Sequence, residues 1–513
     1  WSPSKPYSLH FNARGDILSL RLPGGNEQVL YVYSESGQLQ SLFSGQTAIE
    51  LNTDDSSVLV SQGLFELREK RKYHAGILKE QKLRFTGIPG FDNANIKYQL
   101  DGTGRLSRVN AFFGRQESLS STWKYNQNTG ALEAMSSLQV RRGAFNKTEI
   151  TDLSGNFGKV VELDQYGNIK DIVYSVRRRN VFVLNLEYRG QNRLARRTVV
   201  DHEGRTYEEQ FTYTGDGQLR KLNGPTNYKM KHDDSGNIVT YNIADQSNEI
   251  VHGPGDRVEI FSHKKVIYDD NGFVTAIDNM KFLHNGLGQL TELVTERGVR
   301  VNYYYDQIGR LVAWADGTSL ITQYFYTNPA SPHQVTYVHN PRNDMTQKLT
   351  YDANDHLIMI ETSDELLYVA CDQLGSPVLL FKSNGVVVKY IRYGPFGEVF
   401  DDTHPGMHIP IGYRGGIASI HSSFIHLNGR IYETSIKQWL SPDWQSLQDN
   451  VVSPHQLFIY RFMNNNPMAV SQDPSYMTSM LDWAKLYGFN MTQVFHASNN
   501  LHLYNLQLPD HKI

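Results

Sequence analysis

Aspartate recurs along this chain three positions before glycine, and such carboxylates could either bind a cation or cap a turn. Two clear copies are Tyr305–Leu311 and Tyr268–Val274, which place an aromatic residue before the aspartate and an aliphatic residue after the glycine. The run Asp269–Gly272 resembles half of an EF-hand loop, but no bidentate glutamate follows at the required position. No Gly-Gly-x-Gly-x-Asp nonapeptide recurs either. The pattern therefore favours plain turns over calcium binding, and it predicts neither a metal nor a cofactor.

Cysteine occurs once, at Cys371. A reactive thiol needs a base beside it, and no histidine or asparagine stands near Cys371 in an arrangement typical of a nucleophile site. We therefore expect a buried structural thiol. The sequence also lacks a P-loop, a dinucleotide fingerprint, zinc-ligand spacing and a nucleophile elbow, so it predicts no enzyme.

Two N-glycosylation sequons begin at Asn146 and Asn490. A chain of this length carries a few such triplets by accident, so they do not settle the compartment. If the chain is extracellular, we expect both asparagines to face solvent and to carry glycans.

The net charge of −3 and the pI of 6.7 give no reason to expect nucleic acid or an anionic membrane as a partner. Arginines at 141–142, 177–179 and 196–197 could form a patch for acidic partners, but a solvated outer face is the better interpretation. No apolar run approaches the ~18 residues that span a bilayer. Because the chain begins at Trp1 without a signal-peptide pattern, we expect a longer parent protein whose membrane anchor, if any, lies outside this segment.

The Asp-x-x-Gly pattern also repeats, and the repeat decides the predicted fold. Further copies stand at 11–17, 100–106, 163–169, 232–238 and 284–290, with looser ones near 125, 213 and 351. Asp or Asn starts a turn and Gly supplies a positive φ, so each copy predicts a hairpin with its aromatic and aliphatic residues facing one core. One hairpin cannot bury such a face alone, and a long sheet twists. The sequence therefore predicts an all-β structure, a spiralling barrel of hairpins.

From about Tyr368 the motifs become more distinctive. They are Tyr393–Glu398, Gly412–Gly416, Leu427–Tyr432, Trp439–Asp443, Tyr460–Pro467 and Gln472–Pro474. Their order resembles the RHS-repeat-associated core, whose pattern runs from YxxFG through GRxYxxxxxxWxSPD to NNP and DP. Among proteins with this core the chain is most similar to teneurins, and it looks more like an invertebrate teneurin than a vertebrate one.

The resemblance implies a division of the chain into three parts. Residues 1–365 would be the C-terminal part of a YD-repeat shell, and 366–475 its RHS-associated core, or plug. Residues 476–513 would be an exit linker and the start of a C-terminal toxin-like region. A helical spacing of apolar residues predicts a short helix near 479–487 within that linker.

The resemblance also implies a function: the extracellular part of a single-pass membrane protein, a rigid shell for cell adhesion in synaptic partner matching and neuronal wiring. The expected partners are teneurins on the opposing cell or latrophilin-type adhesion receptors. EGF-like modules and a homodimer contact would lie outside this segment. The alternative is a toxin-like capsule that cleaves itself to release a C-terminal polypeptide.

In toxin-type cores two Asp-Pro-x-Gly motifs supply the carboxylates for self-cleavage, and Asp443 and Asp473 stand at the matching positions. Both motifs have decayed here, since Trp444 follows the first aspartate and the second, Asp473–Tyr476, lacks glycine. We therefore expect Asp443 and Asp473 to be structural, a vestigial pair, and the chain to be catalytically silent.

Overall fold

A computed structural model describes residues 8–21, 28–52, 56–114, 119–143, 146–190, 192–317, 319–427, 429–442 and 459–470. Thirty-eight strands form one antiparallel sheet in which each strand pairs with the next along the chain. A second sheet of four strands follows. The described residues contain no α-helix, only short 3-10 turns at Tyr413–Gly415 and Phe462–Asn465. The predicted all-β spiral of hairpins is confirmed.

The first half of the long sheet comprises β1 Ser8–Phe11, β2 Ile17–Arg21, β3 Gln28–Tyr33, β4 Leu39–Ser44, β5 Thr47–Asn52, β6 Ser57–Gln62, β7 Phe65–His74, β8 Ile77–Thr86, β9 Asn93–Leu100, β10 Leu106–Phe113, β11 Leu119–Tyr125, β12 Leu132–Met135, β13 Leu138–Arg142, β14 Lys147–Asp152, β15 Phe157–Leu163, β16 Ile169–Val176, β17 Arg179–Arg189, β18 Arg193–Val200, β19 Thr206–Tyr213 and β20 Leu219–Asn223.

Its second half comprises β21 Tyr228–His232, β22 Ile238–Ile243, β23 Gln246–His252, β24 Val258–Phe261, β25 Lys264–Tyr268, β26 Val274–Ile277, β27 Met280–His284, β28 Leu290–Val294, β29 Arg300–Tyr305, β30 Leu311–Asp316, β31 Ser319–Phe325, β32 Tyr337–Asn340, β33 Met345–Tyr351, β34 Leu357–Glu361, β35 Leu366–Cys371, β36 Pro377–Phe381, β37 Val387–Tyr393 and β38 Val399–Asp402. The small sheet comprises β39 Ile417–Ala418, β40 Phe424–Leu427, β41 Arg430–Glu433 and β42 Gln438–Trp439.

The repeat turns take the form that the sequence predicts. In the turn after β29, Gly309 has φ +81° and its N–H donates to the carbonyl of Asp306 at 3.0 Å. The Asp306 carboxylate accepts the N–H groups of Ile308 and Arg310 at 3.1 and 2.9 Å. Each such carboxylate therefore serves as an acceptor for its own turn.

The tyrosine before the turn has a second role, which the sequence did not reveal. The Tyr305 hydroxyl donates to the Leu290 carbonyl at 2.8 Å, and Tyr326 bonds Leu311 in the same way at 2.7 Å. Leu290 and Leu311 are the aliphatic residues that follow the preceding repeat's glycine. Equivalent bonds join Tyr33 to Ile17, Tyr213 to Leu194 and Tyr351 to Val335. In these five repeats the hydroxyl therefore ties a hairpin to the one before it.

The long sheet coils so that late strands lie inside early ones. The Phe65 ring of β7 lies 4.7 Å from Tyr304 on β29. From the opposite face of β29, Tyr303 lies 6.0 Å from Phe424 on β40. Burial accordingly alternates along β7 but is continuous along β35 and β36, since early strands have one buried face and these late strands have two.

The small sheet and its flanks, residues 409–427, 429–442 and 459–470, are called the C-terminal module below. Position 365/366, the predicted boundary between shell and plug, lies between β34 and β35, which are hydrogen-bonded neighbours. That boundary stays a prediction. The helix predicted near 479–487 and the rest of 476–513 lie outside the described residues. None of the described segments forms a helix long and apolar enough to cross a bilayer.

Candidate functional site

The C-terminal module meets the long sheet along a seam of turn backbones and buried cations. The Val274 N–H donates to the Leu440 carbonyl at 2.9 Å, and the Gln438 amide donates to the Asp256 carbonyl at 3.1 Å. Asp256 lies in a repeat turn, and Val274 directly follows another. The two turns at 253–257 and 269–273 therefore close their own hairpins and also hold the module.

Lys437 is the most enclosed cation of this seam. Its side chain is 2% exposed, and its ammonium lies 3.7 Å from the centre of the Tyr241 ring and 2.9 Å from a Glu398 carboxylate oxygen. Three further rings stand 5.8 to 6.0 Å from the ammonium: Tyr228, Phe261 and Phe396. Burial lowers the Lys437 pKa, while Glu398 opposes that shift. The long sheet therefore provides an aromatic cage that the module fills with its own lysine.

Arg430 joins two separated parts of the module. Its guanidinium donates to the carbonyls of Ser441 and Ile459 at 2.8 and 3.1 Å and lies 4.3 Å above the Trp439 ring. The backbone N–H of Trp439 donates to the Tyr460 carbonyl at 3.0 Å. Residues 443–458, which the structure does not describe, therefore connect two points that Arg430 holds side by side.

Arg461 and Asn465 donate hydrogen bonds to one repeat turn, at residues 235–237. Arg461 donates to the Ser235 carbonyl at 3.0 Å and to the Asn237 side-chain oxygen at 2.8 Å, and Asn465 donates to the Gly236 carbonyl at 2.9 Å. Burial lowers the Arg461 pKa to about 10, against the pull of Asp256 and Asp233. The buried Arg461 cation is therefore satisfied by neutral oxygens of this turn, the Ser235 carbonyl and the Asn237 side chain.

The module packs so closely against a second repeat turn that no side chain would fit at the glycine of that turn. The Tyr460 hydroxyl donates to the Gly272 carbonyl at 2.7 Å. Gly272 has φ +87°, and an added Cβ would lie 2.5 Å from that hydroxyl. The glycine of this repeat therefore serves both the turn and the seam.

Buried polar side chains also join the early strands to the late turns. Gln307 donates to Glu69 at 2.5 Å, and Arg197 donates to Gln373 at 3.3 Å. Lys159 forms an ion pair with Asp352 in which both side chains are 1% exposed. We call these three pairs the layer keys. Each joins a β-strand of the outer layer to a turn of the inner layer.

Comparison with known proteins gives a match that covers both the long sheet and the C-terminal module. The teneurin YD-shell family matches residues 2–468. This chain belongs to that family. It is 35% identical to Teneurin-m of Drosophila melanogaster over 95% of this chain, and 26% identical to Teneurin-4 of Mus musculus over 94%. It spans 18% of the length of both relatives. The predicted resemblance to teneurins is confirmed.

Two solved structures share the fold of this YD shell. The TcdB2-TccC3 complex without its hypervariable C-terminal region superposes with a TM-score of 0.57 and 14% identity, over 92% of this chain and 27% of that one. TcdB2-TccC3-TEV gives 0.53 and 13%, with the same shares of the two chains. At this identity the likeness concerns the fold alone.

Of the four site residues predicted for this YD shell, the structure describes one. Asn146 is exposed, with φ +56°, in the turn before β14. Asp443, Asp473 and Asn490 lie outside the described residues, so their roles stay predictions. The arginines at 141–142 and 177–179 lie at opposite ends of neighbouring hairpins, and the structure does not bring them into one patch.

Cys371 is fully buried in this YD shell, and its thiol donates to the Leu357 carbonyl at 3.2 Å. Burial raises the pKa of the thiol, and the nearby Lys159 ammonium opposes that shift. Within the described ranges, no group of three or more His, Cys, Asp or Glu side chains is arranged to hold a metal.

Sequence reasoning missed the residues that hold the seam and the layers. Arg430 and Arg461 stand inside the motifs of the RHS-associated core, but the motifs do not name their partners. Lys159 carried a clearer signal: it alternates with Phe157 and Val161 on the inward face of β15. A charged residue at an inward position indicates a buried partner.

Proposed function

We propose that this chain is the extracellular shell of a teneurin-type transmembrane adhesion protein and acts as a rigid platform for recognition between cells. The match of the teneurin YD-shell family to residues 2–468 carries the proposal. The proposed role is non-enzymatic, in synaptic partner matching and neuronal wiring. Partners are a teneurin on the opposing cell or a latrophilin-type receptor, and the membrane anchor and any homodimer contact lie outside this chain.

Rigidity supports a platform role. Every strand of the long sheet pairs with its successor, the layer keys fix one layer on the other, and the module packs against the sheet through Lys437 and Phe424. Preorganised surfaces lose little freedom on binding, so a stiff shell can present patches at low entropic cost.

One outer face of this platform has the character of a contact surface. The side chains of Val251, Ile260, Ile267 and Leu283 are 38 to 57% exposed on β23–β27. Val251 stands directly opposite Ile260, and exposed Lys265 is paired with Ile260 in the neighbouring strand. An apolar stripe with charged flanks is typical of protein contacts. We call it the outer stripe.

Cell aggregation tests the proposal. Cells that display the complete ectodomain are mixed with naive cells, with cells displaying the same protein, and with cells displaying a latrophilin-type receptor. A glycan placed on the outer stripe, by Lys265→Asn with Ile267→Thr, should abolish aggregation with cells that display the same protein or the receptor. The matched control places a glycan on the exposed face of β7, by Arg68→Asn with Lys70→Thr, and should leave that aggregation intact. Absence of aggregates with every partner at normal surface display would refute adhesion.

The toxin-like capsule is the competing hypothesis, and the shared fold of the TcdB2-TccC3 shell is what favours it. A denaturing gel of the intact ectodomain separates the two functions. Adhesion predicts one band, whereas a self-cleaving capsule yields a fragment that begins near residue 475. Mass spectrometry of the same material should find glycans at Asn146 and Asn490, and two bare asparagines would count against an extracellular location.

A further inference from the structure

Three histidines stand along the seam between the long sheet and the C-terminal module. His426, on β40, lies 5.2 Å from the Tyr303 ring on β29. His284, on β27, stacks 5.3 Å from Phe273, in the turn that the module grips. His232 ends β21, directly before the turn in which Arg461 donates to the Ser235 carbonyl at 3.0 Å. All three belong to contacts that join the module to the sheet.

Each of these rings has a buried nitrogen without a hydrogen-bond partner among the residues that the structure describes. The nitrogens are Nε2 of His426, Nδ1 of His284 and Nε2 of His232. His426 and His284 are each 7% exposed. A proton added to either ring would therefore place a charge in a dry site with no acceptor for it.

Among the described residues no charged group influences the pKa of His426 or His284, whereas Lys437 has the Glu398 carboxylate beside its aromatic rings. Aromatic rings pack on His426 and His284, and its two neighbouring strands place Ile417 and Ile431 opposite His426. Burial alone lowers the pKa of His426 and His284 to about 3. For His232, burial and the Arg461 cation lower the pKa to about 4, with Asp233 opposing.

We propose that the seam is an acid-sensitive latch, in which protonation of His232, His284 and His426 loosens the C-terminal module from a long sheet whose strands stay paired. The neutral rings are compatible with the closed seam, whereas opening the seam exposes the rings to water, where they can take up a proton. The seam is thus fully stable above the ordinary histidine pKa near 6.5, and its stability falls as pH drops towards 4. At pH 5.5 each histidine shifts the opening equilibrium roughly 10-fold, so three together shift it roughly 10³-fold.

Other histidines of the long sheet provide an internal comparison. His356 has a lowered pKa through burial and Lys159, but the Asp352 carboxylate faces it and opposes that shift. His339 bonds the Thr346 hydroxyl at 3.1 Å. His356 nevertheless has a buried Nδ1 without a hydrogen-bond partner among the described residues, and its pKa is lowered to about 4. The inner layer around β34 should therefore also respond to acid, by the roughly 10-fold that one ring contributes, which is less than the response of the three rings at the seam.

Hydrogen exchange of the whole chain tests the latch at pH 7.4, 6.5 and 5.5, with rates corrected for the intrinsic effect of pH. We expect peptides from 411–427, 429–442 and 459–470 to exchange at least 100-fold faster at pH 5.5. Peptides from β7–β9, whose one histidine, His74, is exposed, should change less than 10-fold, and peptides from β33–β36, which contain His356, should change less than those of the module. Equal acceleration of sheet and module, or no acceleration of the module, would overturn the proposal.

Replacing the three histidines tests whether their protonation causes the faster exchange at acid pH. The triple variant His232→Gln, His284→Phe, His426→Phe cannot take up these protons, so the acceleration of its module between pH 7.4 and 5.5 should be at least 10-fold smaller than in the wild-type chain. The remaining response comes from His421, whose Nε2 is also buried without a partner among the described residues and whose ring lies 5.3 Å from that of Trp314. His263→Asn, at an exposed turn residue, is the matched control and should keep the wild-type acid response. A triple variant that keeps the full wild-type acid response refutes the latch.

A measurement on the wild-type chain keeps the test decisive if the triple variant does not fold. Exchange of the carbon-bound ring hydrogen, followed by mass spectrometry, gives the pKa of each histidine in the folded chain. The latch requires values below about 5 for His284 and His426. Values above 6 for both would refute it, because the closed seam would then accept the proton.

Discussion

Removing Lys159 should open the contact between the two layers of the sheet. In Lys159→Met the stem of the side chain is retained, but the Asp352 carboxylate stays buried without its cation. Loss of one partner of a buried ion pair destabilises a protein by about 3–5 kcal/mol. Asp352 keeps the N–H groups of Asn354 and His356 at 2.9 and 3.0 Å, so we expect the lower end, about 3 kcal/mol.

This loss is best measured locally, since a large sheet opens in parts. About 3 kcal/mol corresponds to roughly 100-fold faster opening, because each 1.4 kcal/mol is a factor of ten. Native-state hydrogen exchange should show that acceleration in peptides from β15 and from the β33–β34 hairpin. Lys170→Met is the matched control: Lys170 pairs with Glu162 at 2.7 Å but is 52% exposed, and exposed pairs contribute at most about 1 kcal/mol.

The pH dependence of Lys159→Met has a defined sign. In the wild-type chain burial would raise the Asp352 pKa, but Lys159 lowers it below the ordinary value. Without Lys159, burial raises that pKa above the value in the unfolded chain. A raised carboxyl pKa adds stability as pH falls through it, so the deficit of the variant should shrink between pH 7 and pH 5.

A double variant decides whether the pair itself carries the effect. Lys159→Met with Asp352→Asn removes both charges and keeps an acceptor for the turn, so it should be at least ~2 kcal/mol more stable than the two single changes predict together. Two results would refute the reasoning: a change below 10-fold in Lys159→Met, or single effects that simply add.

Two further substitutions test the seam and the repeat. Gly272→Ala places a Cβ 2.5 Å from a hydroxyl of the module, and its thermal midpoint should fall below that of Gly298→Ala, which has a similar φ of +77° but open space around it; equal midpoints would show that the seam does not depend on this close approach. Tyr305→Phe removes the hydroxyl that bonds the preceding repeat and should lower local stability by about 1 kcal/mol, seen as faster exchange in β28–β29, whereas Tyr166→Phe, at a 73% exposed side chain, should have no effect.

The sequence sufficed for the parts of this fold that depend on neighbouring residues. Aspartate and glycine act within one turn, so the Asp306 turn and the pairing of Tyr305 with Leu311 follow from local chemistry. Local patterns also place the aromatic residue on the buried face. They do not show where its hydroxyl bonds, because the Leu290 carbonyl belongs to the previous repeat.

The layering could not be read from the sequence, because its contacts join residues far apart in the chain. Lys159 and Asp352 are separated by 193 positions, and Glu69 and Gln307 by 238. No local pattern fixes the coil's circumference, which sets these separations. For the seam, the sequence indicated the motif residue Arg461 but not the turn that it binds.

The layer keys explain how a sheet of similar hairpins can adopt one register between its layers. Sliding the inner layer by one hairpin would return aromatic and aliphatic residues to similar positions, so apolar packing discriminates weakly between the two arrangements. The same slip would leave Lys159 buried without Asp352, and it would take Gln307 from Glu69, which would keep only its own layer's Arg71 and Gln81. An unpaired buried charge is far less favourable than a lost apolar contact. Polar pairs that add little net stability can therefore exclude an incorrect register between the two layers. This requirement is sufficient to explain why charged residues occupy inward-facing positions on the strands.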